Sequence, residues 1–246
     1  MNIPKLVAHR GFAAKYPENS LSAFRSAIDL GGKYLELDVQ LTADHIPIVI
    51  HDEDLLRTGG ELIHVLNNNW DLLEGKTVGE SERFGDKFKN EKLLQLSQFA
   101  ALLKDNPDVN AFVEIKEECV VKFGEKIVVD AVMEAISMVK SQCTIISFDS
   151  SVLFYVQKND DIPIGFVTHK YDDEHKEIAD QMKPDFLICN YKKIPDEDGS
   201  LWEGEWEWFL YEIVEPETAL KWYQRGVEYI ETMEFEAMTN GLMKNQ

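Results

Sequence analysis

The stretch VAHRGFAAKYPENS, residues 7–20, opens with an apolar run that ends at His9. Two later apolar runs behave in the same way, since one leads into Glu36 and the other into His51. If such runs are parallel strands, their carboxyl ends meet at one edge of a sheet, which is where α/β folds place their active sites. The stretch therefore predicts an α/β fold with a polar site at the carboxyl ends of its strands.

Short apolar runs alternate with amphipathic segments along most of the chain. Strands are predicted at 5–8, 34–39, 46–50, 111–115, 144–148, 164–167, 186–189, 209–214 and 227–230. Helices are predicted at 20–30, 126–139, 151–157, 174–182 and 216–225, the first with Asn19 as N-cap and Gly31 as its stop. About eight strand–helix steps favour a (β/α)8 TIM barrel, although this count alone does not exclude an open doubly wound sheet.

The segment at about 53–94 interrupts this alternation, because it is polar and has little periodicity. A loop of this length in a compact domain is usually functional or forms a small inserted subdomain. We therefore expect residues 1–246 to form a single domain that carries an insertion after the second strand region. We further expect the insertion to cap the substrate and to affect specificity, with a purely structural lid as the alternative.

Composition limits the classes of partner. The chain has 246 residues, 44% of them hydrophobic, and a formal net charge of −20. Nucleic acids and anionic membranes attract basic surfaces, so this charge argues against both as partners. An anionic substrate would need a local positive site, supplied by a metal ion or by a few lysines and arginines. We expect a small-molecule substrate.

The remaining compositional features point to a soluble, cytoplasmic protein. The N-terminal residues 1–5 lack the pattern of a signal peptide, and no apolar run approaches the ~18 residues that span a membrane. The three cysteines are far apart and lie in or beside apolar runs, so we expect buried, unreactive thiols. The acidic stretch 196–199 is similar to part of a calcium loop, but it lacks the following glutamate and is interpreted as a turn.

Three acidic residues are candidate metal ligands. Glu36 and Asp38 are two positions apart on a predicted strand, so both side chains point to one face, and Glu114 lies on a neighbouring predicted strand. Carboxylate oxygens suit a hard cation, Mg²⁺ or Ca²⁺, better than zinc. The alternative is that Glu36 and Glu114 form buried salt bridges with Arg10 and Lys116.

Two histidines and two basic residues complete the predicted site. His9 and His51 are the candidate general acid and base, and their position beside the carboxylates favours catalysis over a structural role. Arg10 and Lys116 are candidate contacts to a phosphate group. Asp52 either orients His51 or begins the loop that follows it.

The order of these motifs resembles the glycerophosphodiester phosphodiesterase family. The shared pattern consists of His9-Arg10-Gly11, Pro17-Glu18-Asn19-Ser20, Glu36-Leu37-Asp38, His51-Asp52 and Glu114-Ile115-Lys116. The resemblance implies a βα barrel with a small insertion after the His-Asp motif, and divalent-cation-dependent hydrolysis of glycerophosphodiesters to glycerol 3-phosphate and an alcohol. It also implies that the three carboxylates bind the metal, the two histidines transfer protons, and Arg10 and Lys116 contact the phosphate.

The C-terminal part departs from the family pattern. Where the family usually has Trp-Thr-Val-Asn on the seventh strand, this chain has Tyr211-Glu212-Ile213-Val214, and Met233 follows Thr232 where an Asp is usual. These changes affect the substrate mouth rather than the metal and histidine residues. Two rival functions therefore stay open: a lysophospholipase D-type activity, and a non-catalytic barrel that acts as a binding protein.

Overall fold

The computed structural model describes residues 3–195 and 201–244, so the acidic stretch 196–199 lies outside the described residues. The strands are β1 (Lys5–Ala8), β2 (Tyr34–Leu41), β3 (Pro47–Val49), β4 (Leu94–Gln95), β5 (Asn110–Ile115), β6 (Cys143–Ser147), β7 (Ile164–Thr168), β8 (Phe186–Asn190), β9 (Glu207–Tyr211) and β10 (Val227–Thr232). The helices are α1 (Leu21–Asp29), α2 (Leu56–Gly59), α3 (Trp70–Leu73), α4 (Ser81–Phe84), α5 (Leu96–Lys104), α6 (Glu117–Phe123), α7 (Glu125–Ala135), α8 (Ser150–Asn159), α9 (Asp173–Met182), α10 (Pro216–Gln224) and α11 (Phe235–Lys244).

Eight parallel strands close into a barrel in the order β1-β10-β9-β8-β7-β6-β5-β2, with β2 pairing back onto β1. Helices connect most of the strands and cover the outer face of the barrel, while inward side chains fill its interior. The strands are therefore nearly continuous runs of buried residues. The predicted (β/α)8 TIM barrel is therefore confirmed. Within the described part of the chain, no helix has the length and apolar character needed to cross a bilayer.

The floor of the barrel interior is apolar, and three of its seven buried side chains are aromatic. Its buried side chains are Val7, Phe112, Ile146, Val167, Ile188, Phe209 and Tyr229. The ring centroids of Phe112 and Phe209 lie 4.9 Å apart in an edge-to-face arrangement. Because inward side chains repeat every second residue, the next inward positions on three of these strands are His9, Glu114 and Glu231. The apolar floor thus places a polar layer at the carboxyl end of the barrel.

The segment before His51 is not a parallel barrel strand, and that part of the sequence interpretation was wrong. β3 pairs antiparallel with β2, with Val49 opposite Val39. The intervening turn is too short for the crossover that a parallel pair requires. Within it, the Thr42 hydroxyl accepts the Ile46 N–H at 2.9 Å and donates to Asp44 at 2.6 Å. The resulting hairpin runs back toward the barrel and returns His51 to the strand ends.

Two details of the helices also differ from the prediction. The N-cap of α1 is Ser20, whose hydroxyl accepts the Ala23 N–H at 3.1 Å, and not Asn19. Asn19 instead has a left-handed backbone (φ 54°) and bonds to Asp38. Outside the insertion, helices α5, α6 and α11 were not predicted, although each buries apolar side chains in the main core.

The insertion at 53–94 is folded and packed on the barrel. Its buried side chains belong to the main apolar core: Leu55, Val65, Leu66, Leu73, Val78, Leu93 and Leu94. The insertion is also hydrogen-bonded to the loop that follows β1: Glu80 accepts the Glu18 N–H at 2.6 Å, and Arg83 donates to the Ala13 carbonyl at 2.7 Å. These contacts give the insertion a structural role; its effect on specificity stays a prediction.

All three cysteines, Cys119, Cys143 and Cys189, are free and buried, which confirms the sequence prediction. Burial raises the pKa of the Cys143 thiol to about 12. Such thiols are poor nucleophiles at neutral pH, so they behave as small apolar side chains.

Candidate active site

The three predicted metal ligands meet at the carboxyl end of the barrel. Glu36 and Asp38 project from the same face of β2, and Glu114 lies directly opposite Asp38 in the register of β2 and β5. One oxygen from each carboxylate lies within 4.8 Å of the other two. All-oxygen donors at this spacing can hold a hard divalent cation.

Two cations contact this carboxylate cluster. The Lys116 ammonium lies 2.8 Å from Glu114 Oε1 and 3.4 Å from Asp38 Oδ1, and Arg10 Nε lies 3.0 Å from Asp38 Oδ2. The salt-bridge alternative is therefore confirmed for Glu114, and Asp38 forms salt bridges that were not predicted. It is not realised for the side chain of Glu36, whose Oε2 accepts only the Arg10 backbone N–H at 3.0 Å.

Glu36 provides the observation that tests whether these residues fit a cation. Its side chain is 2% exposed, and Oε1 has no hydrogen-bond partner among the described residues. Burying a carboxylate oxygen without a partner is unfavourable, so a cation at this oxygen would satisfy it. The donor set of Glu36, Asp38 and Glu114 thus fits a hard divalent ion such as Mg²⁺ or Ca²⁺.

The pKa values in the cluster diverge in a way that burial and charge explain. Burial, together with the carboxylates of Asp38 and Glu231, raises the pKa of Glu36 well above its ordinary value. Burial and Asp38 also raise the pKa of Glu114 to about 7, against the opposing effect of Lys116. Burial alone would raise the pKa of Asp38, but the charges of Arg10 and Lys116 outweigh it and lower that pKa below the usual range.

The His-Arg-Gly motif forms a tight turn directly after β1. Arg10 (φ 53°) and Gly11 (φ 77°) are both left-handed. A Cβ on Gly11 would lie 2.7 Å from the Ala23 carbonyl carbon and 2.8 Å from the Phe24 nitrogen, so only glycine fits against α1. The turn directs the Arg10 guanidinium back over the strand ends toward Asp38.

Glu18 anchors Arg10 from the other side. Its buried carboxylate accepts hydrogen bonds from Arg10 Nη1 at 2.9 Å and from Arg57 Nη1 and Nη2 at 2.8 and 2.7 Å. Arg57 also contacts Asp52 Oδ2 at 2.7 Å through Nε. Glu18 and Arg57 had no assigned role in the sequence analysis, and they connect the Arg10 turn to the His51-Asp52 segment.

The two histidines have different surroundings. His51 Nδ1 lies 2.7 Å from Asp52 Oδ1, and this contact orients the ring and answers the open question about Asp52. His9 is mostly buried, with Nε2 3.9 Å from Glu36 Oε2 and 3.8 Å from Glu231 Oε2. Burial, followed by the charge of Arg10, lowers the pKa of His9 to about 3.

Most of these side chains line a cavity of about 210 Å³ at the mouth of the barrel. Its lining residues are His9, Arg10, Glu36, His51, Glu114, Lys116, Ile146, Phe148, Val167, Ile188, Tyr211, Glu212 and Glu231. Of the seven predicted site residues, Asp38 alone is not in this lining, and it pairs with the lining residues Arg10 and Lys116. The structure therefore brings all the predicted site residues together.

Glu231 is a residue of this cavity that the sequence reasoning missed. It follows the predicted strand at 227–230 directly, so the rule that selected the other strand-end residues could have found it. Its side chain is buried, and with His9 and Glu36 it forms a second group of potential ligand atoms within 4.8 Å of one another. Burial and the charge of Glu114 raise the pKa of Glu231 well above its ordinary value.

Comparisons with a family model and with curated proteins point to the same family. The sequence model of the glycerophosphoryl diester phosphodiesterase family matches residues 9–196. A glycerophosphodiester phosphodiesterase of Caldanaerobacter subterraneus subsp. tengcongensis is 37% identical over 130 residues, which cover 52% of each chain. One from Bacillus altitudinis is 56% identical over 54 residues, or 22% of each chain. The matched segments thus span about half, or less, of these curated relatives.

Solved structures show the same barrel over nearly the whole chain. A phosphodiesterase of Oleispira antarctica in complex with the product sn-glycerol-3-phosphate has a TM-score of 0.85 at 20% identity, covering 98% of this chain and 97% of that one. A glycerophosphodiester phosphodiesterase of Thermotoga maritima has a TM-score of 0.69 at 25% identity, covering 98% and 99%. The barrel architecture is thus shared from end to end.

Proposed function

Because the chain belongs to the glycerophosphoryl diester phosphodiesterase family, we propose that it hydrolyses glycerophosphodiesters to glycerol 3-phosphate and an alcohol. One observation carries this proposal: a single cavity combines a carboxylate cluster, two basic side chains and two histidines. That combination supplies what phosphodiester hydrolysis needs, namely charge neutralisation, positioning and proton transfer. The product complex of the structurally similar Oleispira antarctica phosphodiesterase supports the same substrate class.

Arg10 and Lys116 bind and orient the phosphate. Both line the cavity, and both are held by buried carboxylates, so their positive charges are fixed before substrate arrives. The phosphodiester carries one negative charge and would replace part of the contact that these cations make with Asp38 and Glu114. Fixed donors of this kind require little reorganisation during the reaction.

Glu36, Asp38 and Glu114 would hold one divalent cation, Mg²⁺ or Ca²⁺. When bound, the ion supplies polarisation of a phosphoryl oxygen and screening of the phosphate charge. The unpartnered Oε1 of Glu36 is the feature of this chain that supports its presence.

His9 and His51 exchange the protons of the reaction. One imidazole removes a proton from the nucleophile as its oxygen bonds to phosphorus, and the other gives a proton to the leaving oxygen as the phosphorus–oxygen bond breaks. The nucleophile is either water or the neighbouring glycerol hydroxyl, and the second route passes through a cyclic phosphate that water then opens. Asp52 and Arg57 orient His51 for this role.

Activity assays on purified protein test the proposal. The protein is incubated with glycerophosphodiesters and with a lysophospholipid, with and without chelator, and glycerol 3-phosphate and lysophosphatidate are measured. We expect chelator-sensitive release of glycerol 3-phosphate, and decreases of ~10²–10⁴-fold in His9→Ala and His51→Ala with divalent-ion binding retained. His64→Ala, at an exposed position outside the cavity, is the control. Near-normal turnover in either site variant contradicts the histidine mechanism, and lysophosphatidate as the main product supports the rival phospholipase activity.

A further inference from the structure

A second group of potential ligand atoms lies beside the carboxylate cluster of Glu36, Asp38 and Glu114. His9, Glu36 and Glu231 offer one nitrogen and two oxygens that lie within 4.8 Å of one another. Glu36 belongs to both groups, and its two carboxylate oxygens allow it to contribute to each. The proposed function assigns no role to Glu231, so the second group is not explained by it.

The strand pairing fixes the geometry of the second group. β1 lies between β10 and β2 in the barrel. On one side, the His9 N–H donates to the Thr232 carbonyl of β10 at 3.1 Å, which holds His9 beside Glu231. On the other side, β1 pairs with the part of β2 that directly precedes Glu36. The imidazole therefore faces one carboxylate from each neighbouring strand, with Nε2 3.8 Å from Glu231 Oε2 and 3.9 Å from Glu36 Oε2.

Glu231 provides an independent sign that a ligand binds here. It is 5% exposed and faces the cavity. No described residue donates a hydrogen bond to its side chain, and His9 Nε2 at 3.8 Å is beyond hydrogen-bond distance. A buried carboxyl group without a hydrogen-bond partner is unfavourable. A cation can satisfy this group by taking the place of a proton on it.

The donor atoms differ in chemistry from those of the carboxylate cluster. An imidazole nitrogen beside two carboxylates suits Zn²⁺ and related transition ions, whereas Mg²⁺ and Ca²⁺ prefer oxygen donors alone. Zinc bonds of about 2.0–2.2 Å hold tetrahedral donors about 3.4 Å apart, so each separation from His9 Nε2 would shorten by about 0.5 Å. The terminal torsion of a glutamate is broad, so rotation of the side chains achieves this without movement of the strands.

We propose that His9, Glu36 and Glu231 form a second cation site, selective for Zn²⁺ and similar transition ions, and that an ion bound there stops turnover. Coordination occupies the lone pair of His9 Nε2, so this nitrogen no longer exchanges a proton with the substrate. The other ring nitrogen, Nδ1, is buried and does not replace it. The site itself goes beyond the proposed function, whereas its inhibitory effect rests on the role of His9 in that function.

Calorimetric titration tests the site directly. The protein is saturated with Mg²⁺ and titrated with Zn²⁺. Glu231→Gln keeps the shape of the side chain but removes a charged ligand, so it should weaken Zn²⁺ binding by at least about tenfold and leave the affinity for Mg²⁺ unchanged. His9→Ala should weaken Zn²⁺ binding by a similar factor, again with Mg²⁺ binding retained.

Glu212→Gln is the matched control, because Glu212 lines the same cavity but does not belong to the ligand group. Its Oε2 accepts a hydrogen bond from Asn190 Nδ2 at 2.8 Å. The affinity of this variant for Zn²⁺ should equal that of the wild type. Zn²⁺ binding that is weakened by Glu114→Gln but not by Glu231→Gln would place the ion in the carboxylate cluster and overturn the second site.

Turnover measurements test the effect of the bound ion. With Mg²⁺ saturating, Zn²⁺ should inhibit the wild type, and the Zn²⁺ concentration that halves the rate should rise by at least about tenfold in Glu231→Gln. Each rate is expressed relative to the zinc-free rate of the same protein, so a general loss of activity cancels. Equal inhibition of the two proteins overturns the proposal that an ion at this site stops turnover.

The remaining outcomes separate the site from the proposed function. Zn²⁺ binding that depends on Glu231 without any inhibition would confirm the site, and it would contradict both the inhibitory effect and the proton transfer assigned to His9. If the protein hydrolyses no glycerophosphodiester, the proposed function fails, and the titrations still decide whether the second site exists.

Discussion

Glu18→Gln should weaken the fold measurably, because Glu18 is the buried anion that connects the Arg10 turn to the insertion. The wild-type carboxylate is 5% exposed and accepts three hydrogen bonds at 2.7–2.9 Å from Arg10 and Arg57. The substitution keeps the shape but removes the charge and turns an amide N–H₂ toward a guanidinium. Breaking a buried ion pair costs about 3–5 kcal/mol. Since Arg57 is 45% exposed and one acceptor oxygen remains, we expect a decrease of about 2–3 kcal/mol in the free energy of unfolding.

The assay is urea denaturation at pH 7, with Glu61→Gln as the control. Glu61 also pairs with a basic side chain, Lys76, but it is 51% exposed, and such pairs contribute about 0–1 kcal/mol. A Glu18→Gln change no larger than that of the control would refute the argument that the Glu18 contacts are structural. Because Arg10 loses an anchor, KM for the phosphodiester should also rise.

The effect of Glu18 should depend on pH in a defined direction. Burial alone would raise the pKa of Glu18, but hydrogen bonds and charges from Arg57 and Arg10 outweigh it and lower the pKa. A carboxylate whose folded pKa is depressed stabilises the protein fully above its unfolded pKa of about 4.3 and loses that contribution as the pH falls through the folded value. The difference in unfolding free energy between wild type and Glu18→Gln should therefore be constant from about pH 5 to about pH 8. It should shrink below about pH 4, where the carboxylate of the wild type becomes protonated. A difference that persists unchanged at low pH would contradict an electrostatic origin.

Four other predictions follow from the site and the core. Glu114→Gln should lower the affinity for Mg²⁺ or Ca²⁺ by at least about tenfold in a calorimetric titration, and unchanged affinity would remove Glu114 from the ligand set. The leaving group of a 4-nitrophenyl diester needs no proton, so only one of His9→Ala and His51→Ala should recover activity on this substrate. The histidine whose variant recovers is the general acid. If the two variants lose activity equally on the 4-nitrophenyl diester and on a glycerophosphodiester, the histidines do not have separate roles. Replacing residues 62–88 with a Gly/Ser linker should lower the melting temperature, because buried apolar side chains are removed from the core. If the truncated protein is soluble, it should discriminate less between glycerophosphodiesters and phosphodiesters without glycerol. An unchanged preference between these substrates refutes the specificity role of the insertion. The three cysteines should not react with Ellman's reagent at pH 8 until the protein is unfolded, because burial raises their pKa values, and rapid labelling of the native protein would show otherwise.

The barrel was predictable because each parallel strand is buried on both faces and appears as a short apolar run. The polar residue at the end of such a run, as at His9 and Glu36, marks the catalytic edge without knowledge of the tertiary structure. Glu114 was predictable for the same reason, and its register opposite Asp38 followed from the pairing of neighbouring strands. These are local signals, each contained within a few residues.

The features that were missed depend on how segments pair and which side chains meet, and an apolar run does not encode either. The position of His51 depends on a hairpin, and its apolar run is the same whether the strand is parallel or antiparallel. Arg57 lies in a polar segment with no periodicity, and only the folded insertion brings it to Glu18, 39 positions away. Asn19 looked like a helix cap because asparagine is a good N-cap, but the adjacent Ser20 takes that role and Asn19 turns toward Asp38.

Charge balance connects the carboxylate cluster with the binding of a phosphodiester. The cluster of Glu36, Asp38 and Glu114 carries one more negative charge than Arg10 and Lys116 offset when all three are ionised. A divalent cation reverses this excess to a single positive charge, which a phosphodiester monoanion then neutralises. Glu231 stands outside this count, because burial and the charge of Glu114 raise its pKa well above the ordinary value and so favour its neutral form. One divalent ion bound by the carboxylate cluster is therefore enough to make this part of the cavity attractive to a phosphodiester monoanion.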